Sequence, residues 1–471
     1  MELRNSADDD ESGHIKYFAK RQAIYPKRVA GRFRNLKWIA MIVTLGIYYL
    51  VPFIRWDRGP GAPDQAVLID LSNARAYWFF IEIWPQEVYI LTGILILAAV
   101  TLFFVTSLFG RVWCGYFCPQ TVWTDLFIWV ERIVQGDRVT RRKLTEGPWT
   151  REKIWKKAVT HLLWLAIAWC TAGSFVLYFN DAPTLVKSFF TLSVSPTVLT
   201  FIAGLTFSTY LMAGFAREQV CFYMCPYARF QSAMFDKDTL IIGYDAARGE
   251  PRGKHKKGDS WEGRGHCIDC TACVQVCPTG IDIRKGLQME CIACGLCVDA
   301  CDDIMDKVGL PRGLIRYDSE RGLAREKKAR LIRPRTVFYA AILSGVGCAM
   351  LYTLAMRPLL ELNVLHDRNP LFVRLSNGDI RNGYEIKILN KTHENKNFSL
   401  TLDGVPGAAL SVKGAGAPSA ESLPVAADSI GHYHVFIEAP AQTQDNVEIV
   451  FKVQDTGNDR TASHDSIFIS R

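Results

Sequence analysis

The stretch CIDCTACVQVCPTG occupies residues 267–280, and a second stretch, CIACGLCVDACDD, occupies residues 291–303. Both follow the spacing C-x2-C-x2-C-x3-C. In such a run three close cysteines wrap one [4Fe-4S] cluster, while the fourth points away and completes the neighbouring cluster. The doubled pattern therefore predicts two interlocked quartets of ligands: Cys267, Cys270, Cys273 and Cys301 for the first cluster, and Cys291, Cys294, Cys297 and Cys277 for the second.

This spacing is the one by which bacterial ferredoxins hold two cubane clusters. Structural zinc is the alternative, but zinc takes four ligands from two C-x2-C pairs and does not need two interlocked quartets. One residue departs from the ferredoxin pattern, because Pro278 follows the first quartet whereas Asp302 stands where the proline usually repeats. Clusters of this kind pass single electrons, so the region predicts an electron-transfer module.

The composition of the 471-residue chain is strongly segregated. Five apolar runs are long enough to cross a bilayer as helices, at 36–54, 89–109, 158–179, 197–216 and 336–356. Lys and Arg number 8 before the first run, 10 in 110–157 and 21 in 217–335, against 3 in 55–88 and 1 in 180–196. Since basic residues concentrate in cytoplasmic loops, we expect a cytoplasmic N-terminus and cytoplasmic clusters, with a periplasmic C-terminal region.

The net charge of +8 does not indicate nucleic-acid binding, because the basic residues mostly flank the apolar runs. We therefore expect the membrane, and no nucleic acid, as a partner. Of the 14 cysteines, 13 precede the last apolar run and none follows it. A disulfide-stapled exported domain would show the reverse, so the motif cysteines are assigned to the reducing side.

The expected fold class is multi-domain, with an α-helical membrane bundle, a ferredoxin-like insert and an all-β sandwich. Its expected parts are a cytoplasmic tail (1–35), a membrane domain (36–244), the ferredoxin-like domain (245–324), a basic flank with the fifth helix (325–357) and a periplasmic domain (358–471). Short alternating runs in the last part predict an immunoglobulin-like sandwich without a catalytic constellation. The Gly-rich and charged segment 245–266 predicts a flexible connector.

Two further motifs place thiols four residues apart with a proline behind the second: WCGYFCP at 113–119 and VCFYMCP at 220–226. Both follow helices that the charge pattern orients alike, which predicts a four-thiol set at matched depth: Cys114, Cys118, Cys221 and Cys225. If the helical path continues, residues four apart share a face, and each proline would fix a kink. The nearby Arg111 and Arg217 would favour thiolate over thiol.

The residues leave three active interpretations of the four-thiol set: a site for a soft metal such as Cu(I), a redox dithiol, or an electron gate facing a quinone. The alternative is that membrane cysteines are apolar fillers, as we expect for Cys170 and Cys348. His161 is the only histidine in a predicted helix, so a haem with two axial histidines is disfavoured. His432 and His434 share a strand face, where paired histidines are more often surface residues than metal ligands.

Over nearly its whole length the chain resembles the FixG/RdxA/CcoG accessory proteins of the cbb-type cytochrome c oxidase. The resemblance rests on the two quartets and on RWDRGPGAPDQAVLIDL (55–71), WCGYFCPQTVWTDLF (113–127), EQVCFYMCPYARFQSAMFDKDTLIIGYD (218–245) and PRGLIRY (311–317). It implies a multi-pass bacterial inner-membrane protein that reduces Cu(II) to Cu(I) for building the oxidase. Copper would be the substrate, and the four-thiol set would be the copper or electron-exit site.

The resemblance also implies oxidase assembly factors or a copper-transporting ATPase as partners. The electron donor stays open among a quinol, a flavin protein and a ferredoxin, and a homodimer stays open as well. A quinol-oxidising carrier like the polyferredoxin subunits of periplasmic nitrate reductase systems is the alternative function, although the fifth helix and the exported β domain argue against it. A non-enzymatic copper chaperone or assembly scaffold is the third.

Overall fold

The computed structural model of the protein describes residues 23–59, 62–255, 260–324, 329–413, 419–440, 444–458 and 460–470. Parts of the expected N-terminal tail (1–22), connector (256–259) and basic flank (325–328) lie outside the described residues. The chain divides into two compact units. The first comprises Met1–Phe53, Leu68–Ala76 and Ile83–Gly347, and the second Ile54–Val67, Tyr77–Glu82 and Cys348–Arg471.

Helices dominate the part of the chain before residue 356. In chain order they are α1 (Arg32–Leu50), α2 (Val88–Phe109), α3 (Pro119–Gln135), α4 (Arg138–Glu146), α5 (Arg151–Leu177), α6 (Ala182–Phe190), α7 (Pro196–Thr209), α8 (Pro226–Ala233), α9 (Ala246–Gly249), α10 (Ala272–Val276), α11 (Leu296–Val308), α12 (Glu320–Leu323) and α13 (Pro334–Ala355). Three further segments are wound as π-helix, at Trp113–Phe117, Tyr210–Ala216 and Val220–Met224. Short strands are β1 (Val67–Asp70), β2 (Arg75–Trp78) and β3 (Ile81–Ile83), which form one sheet in that order, and β4 (Leu240–Tyr244) with β5 (Ile315–Ser319), which pair antiparallel.

Five helical stretches in the described residues are long and apolar enough to cross a membrane: Arg32–Phe53, Pro85–Phe109, Arg151–Leu177, Pro196–Ala216 and Pro334–Ala355. Each contains most of one predicted span. The third begins with the charged turn REKIWKK, which hydropathy alone leaves out because its charges lie before the apolar run. The expectation of a membrane-spanning chain is thus confirmed.

The sequence analysis missed α3, which lies in the segment expected to be a loop. Its Phe127 ring stacks on Trp164 of α5 with ring centroids 5.1 Å apart, and Trp164 Nε1 donates to the Phe127 carbonyl at 3.1 Å. On the same helix the buried carboxylate of Glu131 pairs with Arg141 at 2.8 Å and Arg217 at 2.7 Å. Apolar packing joins α3 to α5, and the two ion pairs join it to α4 and to Arg217, which follows the π-helix Tyr210–Ala216.

The predicted flexible connector is wrong for its described residues. The N–H of His266 donates to the Arg248 carbonyl at 3.0 Å, and the N–H of Gly265 donates to the Pro251 carbonyl at 3.0 Å. A Cβ atom at Gly265 would lie 2.2 Å from the Gly249 carbonyl oxygen. Gly265 therefore serves close backbone packing beside the cysteine region, which composition alone cannot distinguish from flexibility.

The ferredoxin-like region docks on the first turn of α1. Asp299 of α11 accepts hydrogen bonds from the backbone N–H of Phe33 at 3.1 Å and of Arg34 at 2.7 Å. The first N–H groups of a helix have no partner within the helix, and here a carboxylate from a distant part of the chain supplies one. Phe33 also packs against Gly295, where a Cβ atom would lie 2.3 Å from the Phe33 ring.

The C-terminal part of the second unit consists of strands: β6 (Leu360–His366), β7 (Val373–Arg374), β8 (Ile380–Asn390), β9 (Lys396–Asp403), β10 (Ala409–Lys413), β11 (Leu423–Val425), β12 (Ser429–Ala439), β13 (Asn446–Asp455) and β14 (Thr461–Ile469). One sheet has the order β10-β12-β8-β6 with β7 on β8, and the other the order β11-β9-β13-β14. Alternate residues of both sheets, such as Ile386 and Phe451, share one apolar core. The two packed antiparallel sheets agree with the predicted sandwich, although the alternating runs that predicted it correspond to β8, β9, β12, β13 and β14 alone.

Replacing Asp299 with Ala should loosen the start of α1. Loss of a helix N-terminal acceptor costs about 0.5–2 kcal/mol. Amide exchange in the peptide that contains Phe33 and Arg34 should therefore accelerate by about 2- to 30-fold, measured by hydrogen–deuterium exchange mass spectrometry. Asp303→Ala is the matched control, because Asp303 is exposed and pairs with Lys307 on its own helix. Equal acceleration in the two variants would contradict the docking role of Asp299.

Candidate iron–sulfur and thiol site

Each predicted quartet of cysteines lines its own small cavity. Tyr244, Met305 and Leu314 line the first cavity together with Cys267, Cys270, Cys273 and Cys301. Ile242, Thr279 and Ile283 line the second together with Cys277, Cys291, Cys294 and Cys297, and Cys273 borders this cavity as well. Eight thiols around two largely apolar cavities form a donor set that fits two [4Fe-4S] clusters.

The described residues do not form a comparable site for a single metal ion. In the described ranges, no three His, Cys, Asp or Glu side chains converge closely enough to hold one metal ion. His432 Nδ1 lies 3.6 Å from Glu385, and His434 Nε2 lies 3.3 Å from Asp367, so each of these histidines faces a separate carboxylate. His161 packs against aromatic rings, and its Nδ1 lies 3.0 Å from a tyrosine hydroxyl. These contacts agree with structural roles for the three histidines.

The loop of the second quartet lies directly against the first thiol motif. Tyr116 Oη donates to the Cys294 carbonyl at 3.0 Å. A Cβ atom at Gly115 would lie 2.7 Å from the Ile292 carbonyl oxygen, so backbone meets backbone at this point. Cys114 packs against the apolar cluster that contains Cys294. The second cavity and the first thiol motif are therefore neighbours without a spacer between them.

A buried arginine holds this arrangement together. Arg111 donates to the carbonyls of Met289 and Ala228 and, at 2.5 Å, to the hydroxyl of Ser232. It thus connects the end of α2 with the cysteine loop and with α8. A guanidinium group, with five N–H donors in a planar fork, suits this bridging of several backbone segments. The role of Arg111 is visible only in three dimensions, since its partners are more than 100 residues away in the chain.

The sequence analysis expected each thiol motif to continue its helix with a kink at the proline, and the structure differs from this expectation. The N–H of Cys118 donates to the Trp113 carbonyl at 2.9 Å, and that of Cys225 donates to the Val220 carbonyl at 2.8 Å, which closes one π-helical turn in each motif. Each π-helical turn ends at an extended cysteine, and the following proline is the first residue of α3 or α8. Proline suits this position because the first helical N–H needs no partner within the helix.

Cys114 and Cys221 are each influenced electrostatically by other thiols of the set. Burial, followed by the neighbouring Cys118, raises the pKa of Cys114 to about 12, although Arg111 opposes the shift. Burial likewise raises the pKa of Cys221 to about 11. The expectation of thiolates is therefore wrong for these two residues, because burial outweighs Arg111 and because Arg217 pairs with Glu131 instead.

Sequence reasoning also missed the polar residues around the first motif. Gln231 is fully buried, and its Oε1 accepts a hydrogen bond from the Cys114 thiol at 3.2 Å. Its only signal in the sequence is a polar residue in a short helix behind the second proline, which is too common to single out. By contrast, the other two cysteines of the membrane region, Cys170 and Cys348, are exposed on α5 and α13, outside both motifs.

Comparisons with known proteins agree with this site. A model of a 4Fe-4S binding domain matches residues 91–138, a model of a 4Fe-4S dicluster domain matches 216–320, and a model of the IG-like fold at the C-terminal of FixG matches 350–471. Together with the five helices, these matches define the class: a membrane-spanning iron–sulfur protein with two [4Fe-4S] clusters and an immunoglobulin-like C-terminal domain.

Relatives of similar length identify the family. Nitrogen fixation protein FixG of Rhizobium meliloti (strain 1021) is 48% identical over 90% of this chain and 87% of its own. Protein RdxA of Cereibacter sphaeroides is 48% identical over 90% of each chain, and its protein RdxB is 47% identical over 96% of this chain and 97% of its own. The chain belongs to the FixG/RdxA family, and the resemblance read from its motifs is confirmed.

Replacing Gly115 with Ala should separate the cysteine loop from the first thiol motif. The new methyl group would meet the Ile292 carbonyl at 2.7 Å, and backbone cannot move aside as a flexible side chain does. Overpacking of this kind costs about 1–3 kcal/mol, although Ala is the better helix former. We expect a lower thermal midpoint and a perturbed electron paramagnetic resonance (EPR) signal from one reduced cluster.

The matched control for this change is Gly204→Ala on α7, where a Cβ atom would meet nothing within 4 Å. An EPR spectrum of Gly115→Ala identical to that of the Gly204→Ala control would show that the contact does not constrain the cluster loop.

The high pKa values of Cys114 and Cys221 predict a distinctive alkylation profile. Only the thiolate reacts, so below the pKa the rate of iodoacetamide labelling should rise about tenfold for each pH unit. A free cysteine levels off above about pH 8.5, whereas these two should still accelerate at pH 10. Labelling followed by peptide mass spectrometry measures each residue separately. A plateau near pH 9 at both residues would contradict the effect of burial.

Proposed function

We propose that the protein passes electrons from its two clusters to copper and reduces Cu(II) to Cu(I) for assembly of the cbb-type cytochrome c oxidase. The observation that carries the proposal is the direct contact between the second-quartet loop and the first thiol motif, through Gly115 and Tyr116. Soft sulfur ligands beside a one-electron carrier suit a metal that changes its charge by one. Copper is the substrate of this reaction and does not stay with the protein.

The proposed cluster ligands are the two interlocked quartets. Cys267, Cys270, Cys273 and Cys301 would hold one cluster, and Cys277, Cys291, Cys294 and Cys297 the other, in line with the cysteines that border each cavity. When bound, the clusters supply storage and release of single electrons. The backbone contact between Gly115 and Ile292 keeps the path from the second cavity to Cys114 short.

Thiol chemistry at the proposed copper site includes proton release. Cys114 and Cys221 are protonated at neutral pH because of their raised pKa values, so each must lose a proton when it binds a soft metal. The Cys114 thiol donates to Gln231, which orients its sulfur before the metal arrives. Two-coordinate Cu(I) needs only two sulfurs, so copper could exchange between the thiols of the set: Cys114, Cys118, Cys221 and Cys225.

The proposed orientation follows the distribution of basic residues. The N-terminus, the thiol motifs and the clusters would face the cytoplasm of a bacterium, and the immunoglobulin-like domain would face the periplasm. Copper would then be reduced on the cytoplasmic side of the inner membrane. Oxidase assembly factors or a copper-transporting ATPase are the proposed receivers of Cu(I).

The test is a single-turnover assay without oxygen. Protein with pre-reduced clusters is freed of reductant and mixed with Cu(II) and a coloured Cu(I) chelator. Loss of partners around metal ligands already costs about 10–100-fold, so serine at all four thiol positions should slow Cu(I) formation by more than about 100-fold. Cluster EPR should persist in this variant, because the quartets are untouched.

The matched control is the double variant Cys170→Ser with Cys348→Ser, which removes two exposed membrane cysteines outside the motifs. Equal rates in control and quadruple variant would exclude the four thiols from the reaction. Normal oxidase maturation in cells whose protein lacks both quartets would instead favour an assembly scaffold without redox activity.

A further inference from the structure

A cavity of about 950 Å³ lies between α1, the first π-helix and the ferredoxin-like region. The residues of α1 that line it, which include Ile39, Ala40 and Val43, belong to a membrane span. Phe117 of the first thiol motif adds an aromatic wall. Nothing in the proposed copper reaction uses this space, although its size is typical of a site for a small organic molecule.

The cavity borders both quartets. Its lining includes Ala293, between Cys291 and Cys294, and Val298, directly after Cys297. It also includes Asp302, directly after Cys301. A molecule in this cavity would thus contact residues that are directly adjacent in sequence to proposed ligands of each cluster.

The polar end of the cavity offers a hydrogen-bond acceptor as well as guanidinium groups. Of its three guanidinium groups, Arg312 pairs with Asp306 at 2.7 Å and Arg316 pairs with Asp245 at 2.8 Å. The Asp302 carboxylate adds negative charge to this end. It accepts one hydrogen bond from the Gly313 N–H at 2.9 Å, and a carboxylate can accept others from a ligand hydroxyl. The hydroxyl of an uncharged ring can donate to this carboxylate, whereas a phosphodiester group cannot, because it carries no hydrogen to donate.

We propose that this cavity binds the hydroquinone ring of a membrane quinol, the electron donor for the reaction proposed above, on which this inference rests. The apolar wall of α1 takes the isoprenoid tail from the bilayer, and Asp302 and Arg32 meet the ring oxygens. Oxidation breaks both O–H bonds, so one quinol yields one quinone, two protons and two electrons. The protons would leave to water at the polar end, and the two cysteine quartets would hold clusters that can each accept one electron, which balances the reduction of two Cu(II) to two Cu(I).

The test detects binding in the cavity by photolabelling and does not require catalytic turnover. Oxidised full-length protein is illuminated with a photoreactive azido-ubiquinone, and mass spectrometry locates the label. We expect labelled peptides from α1 and from the segment around Ala293, and excess decylubiquinone should suppress them. Ala40→Trp and Val43→Trp should each reduce labelling by about tenfold or more, because the indole ring fills the cavity.

The control is Ile42→Trp, which adds the same ring on α1 at an exposed position outside the lining. Equal labelling in Ile42→Trp and both cavity variants, label confined to other helices, or a phospholipid in place of quinone in the extracted protein would each overturn the proposal. The copper assay on pre-reduced wild-type protein needs no quinol. Failure of the quinol site and failure of copper reduction are therefore separate results.

Discussion

The contact between the Gly115 backbone and the Ile292 carbonyl sets the distance between the loop of the second quartet and the first thiol motif. No side chain can separate them there, because even a Cβ atom would come within 2.7 Å of the carbonyl oxygen. Arg111 and Tyr116 reinforce the contact by bonding to carbonyls of the same loop. Close packing of this kind tolerates little movement, so a cofactor in the second cavity would keep a fixed position relative to Cys114.

Buried charges organise the helices beneath this contact. Asp125 of α3 pairs with Arg34 at 2.8 Å and lies 3.7 Å from Lys37, while Glu131 pairs with two arginines. Removing water from such groups costs about as much as their attraction returns, so they add little net stability. A buried charge left without its partner would cost far more free energy, so any other register of α1 against α3 is unfavourable. We infer that these pairs fix which helix faces meet below the ferredoxin-like region.

Local patterns predicted the quartets and the five membrane helices, because cysteine spacing and apolar length depend only on neighbouring residues. The sequence analysis missed α3, since its apolar face is interrupted by charges that become buried pairs only in the fold. Thiolates were expected beside Arg111, but burial decides the pKa of Cys114 and leaves no trace in the sequence. The contact of Tyr116 with Cys294 joins residues 178 positions apart, beyond any spacing rule.

The two thiol motifs differ in a way that bears on whether they bind copper or pass electrons. In the first thiol motif, Gly115 and Tyr116 are buried against the cysteine loop, whereas the π-helical turn Val220–Met224 of the second motif contains no buried residue and exposes Tyr223 and Met224. The cysteines of both motifs are half-buried, so the motifs differ in the residues around their thiols and not in the exposure of the thiols. In the reaction proposed above, Cys114, which packs against the apolar cluster that contains Cys294, would deliver the electron, and Cys221 and Cys225 would receive the copper.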